Sequence, residues 1–146
     1  MRLRLIISCA AALGAVGCAG DLTSDEVVGT YVLATIDNHQ PPLLLDGANG
    51  CVNLLVGGRL ALLPAPDWSD LALARQEDCT ALDGGVTTDT LRYLGRYWMS
   101  DGVLTFQTQL SLDDTLRFSG PVWMGRVTLV VRDTLRGLGE HRLAFF

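Results

Sequence analysis

The chain has 146 residues, 49% of them hydrophobic, which is about one domain of polypeptide with too much apolar content for a disordered body. Its 16 acidic residues outnumber 11 basic ones, all arginine, giving a formal charge of −5. An acidic surface disfavours phosphate backbones, so no nucleic-acid partner is expected.

Met1-Arg2-Leu3-Arg4 is a short basic start, and Leu5 to Val16 is an apolar run. The run is shorter than the ~20 residues of a membrane helix and has the length of a secretory signal. It ends in Ala15-Val16-Gly17-Cys18, which resembles a bacterial lipoprotein signal, where a small residue precedes a cysteine that is acylated and becomes the first residue. That resemblance implies a signal peptide over residues 1–17, lipidation at Cys18, and an acylated cysteine with a polar tether over residues 18–26. The alternative is an ordinary signal peptide cut near Ala19. Loss of Arg2 and Arg4 leaves nine basic residues against 16 acidic ones, a mature charge of about −7. Several acyl chains anchor durably where one is reversible. Ala19 after Cys18, where an aspartate would retain the protein, resembles sorting to the outer membrane of a two-membrane bacterium. The expected address is therefore the cell envelope, lipid-anchored on the periplasmic side of the outer membrane.

Val27 to Asp37 is rich in β-branched and aromatic residues and reads as the first strand. Asp37 to Pro42 turns the chain, Leu43-Leu44-Leu45 is a short apolar return, and Asp46 to Gly50 is a loop. From Cys51 to Cys79 the chain reads as one long hairpin, with arms Leu54–Leu63 and Trp68–Glu77 about a turn at Pro64-Ala65-Pro66-Asp67. Cys51 and Cys79 lie symmetrically about Ala65 and would face one another in an unbulged pair. Gly57-Gly58 is a place for a bulge that would spoil that register. Cys9 leaves with the signal and Cys18 takes lipid. The remaining pair, Cys51 and Cys79, is expected to form a disulfide in an exported protein. The alternative, a metal pair or a reactive thiol, lacks nearby histidine or basic partners.

Thr87 to Met99 alternates, with Leu91, Tyr93, Gly95 and Tyr97 on one face and Arg92, Leu94, Arg96 and Trp98 on the other. Asp101-Gly102 turns the chain into a strand whose apolar face carries Leu104, Phe106 and Leu110. Asp113-Asp114 is the next turn, Thr115–Phe118 a short strand, and Ser119-Gly120-Pro121 a break before Val122. Arg126–Arg132 alternates again, and Glu140–Phe146 is a last strand after Gly137-Leu138-Gly139. No 3.6-residue apolar stripe is sustained, so little helix is expected. About eight strands in series with short connections predict an all-β fold over residues 27–146, an antiparallel up-and-down β-barrel whose closure leaves no free edge. A two-sheet sandwich is the alternative.

Gly29-Thr30-Tyr31-Val32-Leu33, then Ile36, a polar turn and Pro41-Pro42, resemble the start of small bacterial lipocalin-like lipoproteins, and the likeness in strand pattern extends over most of residues 27–146. The resemblance implies a lipocalin-like barrel with an aromatic residue two positions after the glycine, near the closed end, and an arginine of the last strand packed across it. Tyr31 and Arg142 would fill those places by cation–π contact, with tyrosine standing where tryptophan is usual.

Neither a Gly-x-Ser-x-Gly elbow nor a phosphate-cradling loop nor a zinc motif occurs in the sequence. His39 and His141 are far apart, and Asp113-Asp114 suits its turn. The chain is therefore expected not to be an enzyme and to need no cofactor or metal. The leading expectation is a lipid-anchored binding module holding a small apolar ligand in the barrel, with Tyr93, Tyr97 and Phe106 lining the cup. Core packing explains those aromatics, and Trp68, Trp98 and Trp123, equally well. The alternative is a structural or interaction lipoprotein with a filled barrel and no ligand. Outward Arg92, Arg96, Arg117 and Arg126 argue against a barrel embedded in lipid.

Overall fold

The computed structural model describes residues 22–48, 50–64 and 67–146. The expected signal peptide, Cys18 and the first part of the expected tether lie outside the described residues. The alternating segments become nine strands among those residues: β1 Gly29–Ile36, β2 Leu43–Ala48, β3 Cys51–Leu63, β4 Trp68–Asp78, β5 Val86–Ser100, β6 Val103–Gln109, β7 Thr115–Trp123, β8 Arg126–Asp133 and β9 Gly139–Phe145. Two single 3-10 turns, Ser24–Val27 and Thr80–Leu82, are the only helical pieces described.

Neighbours pair in the order β1-β9-β8-β7-β6-β5-β4-β3-β2, and β1 also pairs with β3. All these pairings are antiparallel. The β1–β3 ladder closes eight strands into a barrel and leaves β2 as an extra strand, an architecture compatible with a lipocalin-like fold. β1 achieves this by changing partners. Gly29 to Val32 lie opposite Leu62 to Arg59 of β3, and Leu33 to Ile36 then pair with Phe145 to Leu143 of β9. β2 takes over the edge of β3 that β1 has left, from Leu43 opposite Leu55 to Ala48 opposite Cys51. The Leu43–Leu45 return and three of the five residues of the expected loop are thus one strand.

The start of β1 and the β3–β4, β5–β6 and β7–β8 turns gather at one end of the barrel, called here the near end. The β4–β5, β6–β7 and β8–β9 connections lie at the far end. Ser24–Val27 lies over the near end: the Tyr31 hydroxyl donates to the Val27 carbonyl (2.7 Å) and the Tyr97 hydroxyl reaches the Ser24 carbonyl (3.4 Å). Val27 is buried, and Leu22 packs against the core. The residues expected as a free tether therefore already touch the barrel from Leu22 onward.

Two details differ from the expectations for the turns. Ser119-Gly120-Pro121 does not break the pattern, because β7 runs straight through it. A Cβ on Gly120 would fall 1.9 Å from the Thr128 carbonyl oxygen, so the absent side chain lets β7 press onto β8. The register to β8 skips Gly120 and Pro121, which is where proline's missing N–H costs least. The bulge in β3 has the opposite effect to the one expected. Next to the turn, Leu63 faces Trp68 and Leu60 faces Leu71, one residue out of step with symmetry about Ala65. The shift between Leu55 and Gly57 brings Val52 opposite Asp78, and Cys51 and Cys79 are joined by a disulfide, S–S 2.08 Å.

The cross-link spans 28 residues, for which chain entropy gives a stabilisation of about 3–4 kcal/mol. Replacing both cysteines by serine is expected to lower the urea-unfolding free energy by about that amount. A reductant should then no longer affect the variant while still destabilising the parent protein.

Candidate functional site

The barrel interior is built by the period of two. Leu91, Tyr93, Gly95 and Tyr97 of β5 face inward, as do Leu104, Phe106 and Thr108 of β6 and Val127, Leu129 and Val131 of β8. Tyr93, Tyr97 and Phe106, expected as the lining of a cup, all point inward and are at most 2% exposed. They are packed into a single core cluster. Phe118 of β7 sits between two of them, edge-on to Tyr93 (ring centroids 5.3 Å) and to Phe106 (5.5 Å). Edge-to-face contacts of this kind fix ring positions beyond what apolar burial alone does.

At the far end a charged network holds the β8–β9 connection over the barrel. The Asp133 carboxylate is buried. It accepts hydrogen bonds from the Tyr93 hydroxyl (2.8 Å) and the Arg136 backbone N–H (3.1 Å), with Arg136 Nε 3.8 Å away. The Arg136 guanidinium lies 5.0 Å over the Tyr93 ring and donates to the Arg92 carbonyl, while Arg75 donates to the Arg136 carbonyl. Arg75 is itself paired with Asp89 at 2.6 Å. Burial, and then the Asp133 acceptor, push the Tyr93 hydroxyl well above its ordinary pKa, so it stays a proton donor. Leu138, carried by the same connection, is buried in the core cluster and donates its backbone N–H to the Asp133 carbonyl (2.9 Å). The arrangement latches the far end shut.

The sequence offered a signal for this latch that was not used. Continuing the inward alternation Val127, Leu129, Val131 by two residues arrives at Asp133, an acid on an apolar face. Tyr31 and Arg142, by contrast, are not brought together. Tyr31 lies opposite Leu60 of β3, whereas the ladder to β9 runs from Leu33 opposite Phe145 to Ile36 opposite Leu143. The Arg142 backbone N–H donates instead to Asp37, six residues further along the chain. Asp37 also bonds His141 Nδ1 at 2.7 Å. Although burial would raise the Asp37 pKa, the Arg142 N–H and His141 outweigh it and hold the carboxyl low. The cation–π contacts described are Arg136 over Tyr93 and Arg126 over Phe146. Cys51, Glu77 and Cys79 bring ligand-type atoms within 4.8 Å of one another, but the disulfide consumes the thiolates a metal would need.

On the outside, Asp70 is nearly covered by two arginines. Arg92 grips it with two bonds (2.9 and 2.7 Å), and Arg59 lies at 3.9 Å. A recess of about 720 Å³ opens on the outer face of β4–β6, between Trp68 and Trp98, with Leu94, Arg96, Gln107 and Gln109 in its lining. Smaller recesses adjoin Asp37 and His141 and the Arg75–Asp89 pair. All three recesses are lined by residues of the barrel's outer face and connections. No family model, curated protein or solved structure matches the chain. The fold and these contacts define a closed, antiparallel, eight-stranded β-barrel with its interior occupied by its own aromatic side chains.

Two outcomes follow for the polar groups. Tyr93→Phe removes one donor from the buried Asp133 and is expected to destabilise the fold by about 1–3 kcal/mol, measured by chemical denaturation. The Arg92 hydrogen bond is the main reason that the Asp70 pKa is depressed, outweighing burial. A carboxyl depressed in the folded state stabilises above its unfolded value of ~3.9 and loses that contribution as pH falls through the folded value. Stability should therefore drop below about pH 4, and Asp70→Asn, while lowering stability at neutral pH, should flatten that acid limb.

Proposed function

We propose that this protein is an exported lipoprotein of the cell envelope, anchored through acylated Cys18 to the periplasmic side of the outer membrane, whose lipocalin-like barrel acts through its outer surface. The single observation that supports this over ligand storage is the occupied interior. Phe106, Phe118, Tyr93 and Tyr97 take the central volume, Ser24–Val27 lies across the near end and the Asp133 network with Leu138 seals the far end. An eight-stranded barrel has room for packed side chains or for one small ligand. An apolar ligand would here need the space that Phe118 and its neighbours fill. The exterior offers more to recognise, with the arginine-clasped Asp70 on the barrel wall.

The test sets the two readings against each other. The purified chain is titrated with the apolar fluorophore N-phenylnaphthylamine, and no saturable binding is expected. Phe118→Ala, which should cost about 3–5 kcal/mol through the cavity it leaves, is expected to gain binding. Crosslinking in intact cells should then trap a protein partner on the outer surface. Saturable, stoichiometric uptake of the probe by the unaltered chain would restore the ligand-binding reading.

A further inference from the structure

The chain has three tryptophans, and none of them is in the core. Trp68 opens β4 immediately after the β3–β4 turn, Trp98 is close to the end of β5, and Trp123 is the last residue of β7. All three therefore belong to the near end, and all three are exposed, Trp123 at 70%. Around them Leu63, Met124 and Phe146 are also exposed. Tryptophan is large and highly buried on average, so placing every copy outside, while Tyr93, Tyr97, Phe106, Phe118 and Phe145 fill the interior, is an unusual division. The far end also exposes apolar groups, Leu82, Leu112 and Leu135, but no aromatic ring is among its exposed apolar residues.

Met124 sharpens the contrast. It sits in the two-residue β7–β8 turn with φ +49°, next to Gly125 at +73°. Such a turn favours asparagine or glycine at that position. A methionine there is 82% exposed, so it gains little from the fold and is poorly suited to the turn.

The length of chain ahead of the barrel says what faces this end. Leu22 already packs against the core, and the following turn is bonded to Tyr31 and Tyr97 at the near end. Cys18 is four residues before Leu22, so its sulfur-bearing residue lies within about 14 Å of Leu22 even when fully extended. We infer that the tryptophan-bearing near end is a membrane-contacting face, seated in the interfacial layer of the bilayer that holds the acylated Cys18. This rests on the lipid-anchor reading above. Indole rings prefer that layer, where their apolar body and N–H are both accommodated, and a depth of ~5–10 Å is typical for peripheral elements. A tether this short raises the effective concentration of the face at the bilayer, so a weak contact is populated. Charge does not drive it, because Arg96 and Arg126 share this end with Asp67 and Asp101 and the mature chain is acidic.

The tryptophans supply the assay, since they alone dominate the intrinsic emission. The full chain, purified with its lipid and reconstituted into phosphatidylcholine vesicles, is compared with the same protein in vesicles whose lipids carry bromine near the top of the acyl chains. The expected result is a blue shift on reconstitution and strong quenching by the brominated lipid, both unchanged by high salt. Met124→Asn should keep or raise the unfolding midpoint yet reduce the quenching, and Trp123→Ser should reduce it further. Emission that stays red-shifted and unquenched, in a preparation whose mass shows acylated Cys18, overturns the membrane-facing surface while leaving the anchor intact, as would occupation of the tryptophans by a crosslinked protein partner instead of lipid. A mass showing unmodified Cys18 overturns the anchor and this inference with it.

Discussion

Closure depends on the short run in which β1 passes from one neighbour to the other. Up to Val32 it satisfies the edge of β3, and from Leu33 it satisfies the edge of β9. Val32 and Phe146 exchange hydrogen bonds at 2.8 and 3.0 Å just where the change is made. A strand that served only one neighbour would leave an open row of N–H and C=O groups, a template for pairing with other chains. The change of partner also frees part of β3, and β2 occupies that part after the turn at Asp37–Pro42. The ninth strand is thus a consequence of how the eighth ladder closes.

Once the wall is closed, interior volume is set by strand number and the side chains must fit it. Tyr93, Phe106 and Phe118 meet edge to face, while Gly95 and Gly120 let the wall close around them. A Cβ on Gly95 would lie 1.9 Å from the Gln107 carbonyl oxygen, as one on Gly120 would from that of Thr128. Large rings inside and missing side chains in the strands are therefore two halves of one packing solution.

The sequence made the alternation in β5, β6 and β8 plain, because inward positions other than Asp133 are apolar or small and the outward ones polar or wet. The hairpin that carries Cys51 and Cys79 was equally legible, since its turn residues are unambiguous. What could not be read was register where two effects compete. The bulge between Leu55 and Gly57 cancels an offset created at the turn, and neither shows in the letters alone. Ser119-Gly120-Pro121 reads as a stop because local turn chemistry was weighed without the neighbouring carbonyl of Thr128. Tyr31 and Arg142 stay apart for a third reason: a family-like motif supplies residue types, but register places Tyr31 opposite Leu60 of β3 and Arg142 beside Asp37 at the other end of β1. Asp133 was readable by counting in twos and Arg136 follows it by three residues, yet Tyr93 reaches it only through the three-dimensional closure.

The two ends of the barrel are shut by different chemistry, and the difference bears on orientation. At the far end the closing contacts are ionic, Arg136 with Asp133 and Arg75 with Asp89, around the Tyr93 hydroxyl. At the near end the bonds from barrel to covering turn are neutral, the tyrosine hydroxyls of Tyr31 and Tyr97 to the carbonyls of Val27 and Ser24. Charged pairs at a lipid interface must give up hydration that their mutual attraction does not always return, whereas a hydroxyl bonded to a carbonyl gives up far less. A barrel with its ionic latch in water and its neutral latch toward the bilayer loses least on approach to the membrane. The reverse orientation would bring the ionic end to the lipid and leave three indoles in water. The proposed tether from Cys18 and the energetics of the two latches are independent considerations, and both favour the same end.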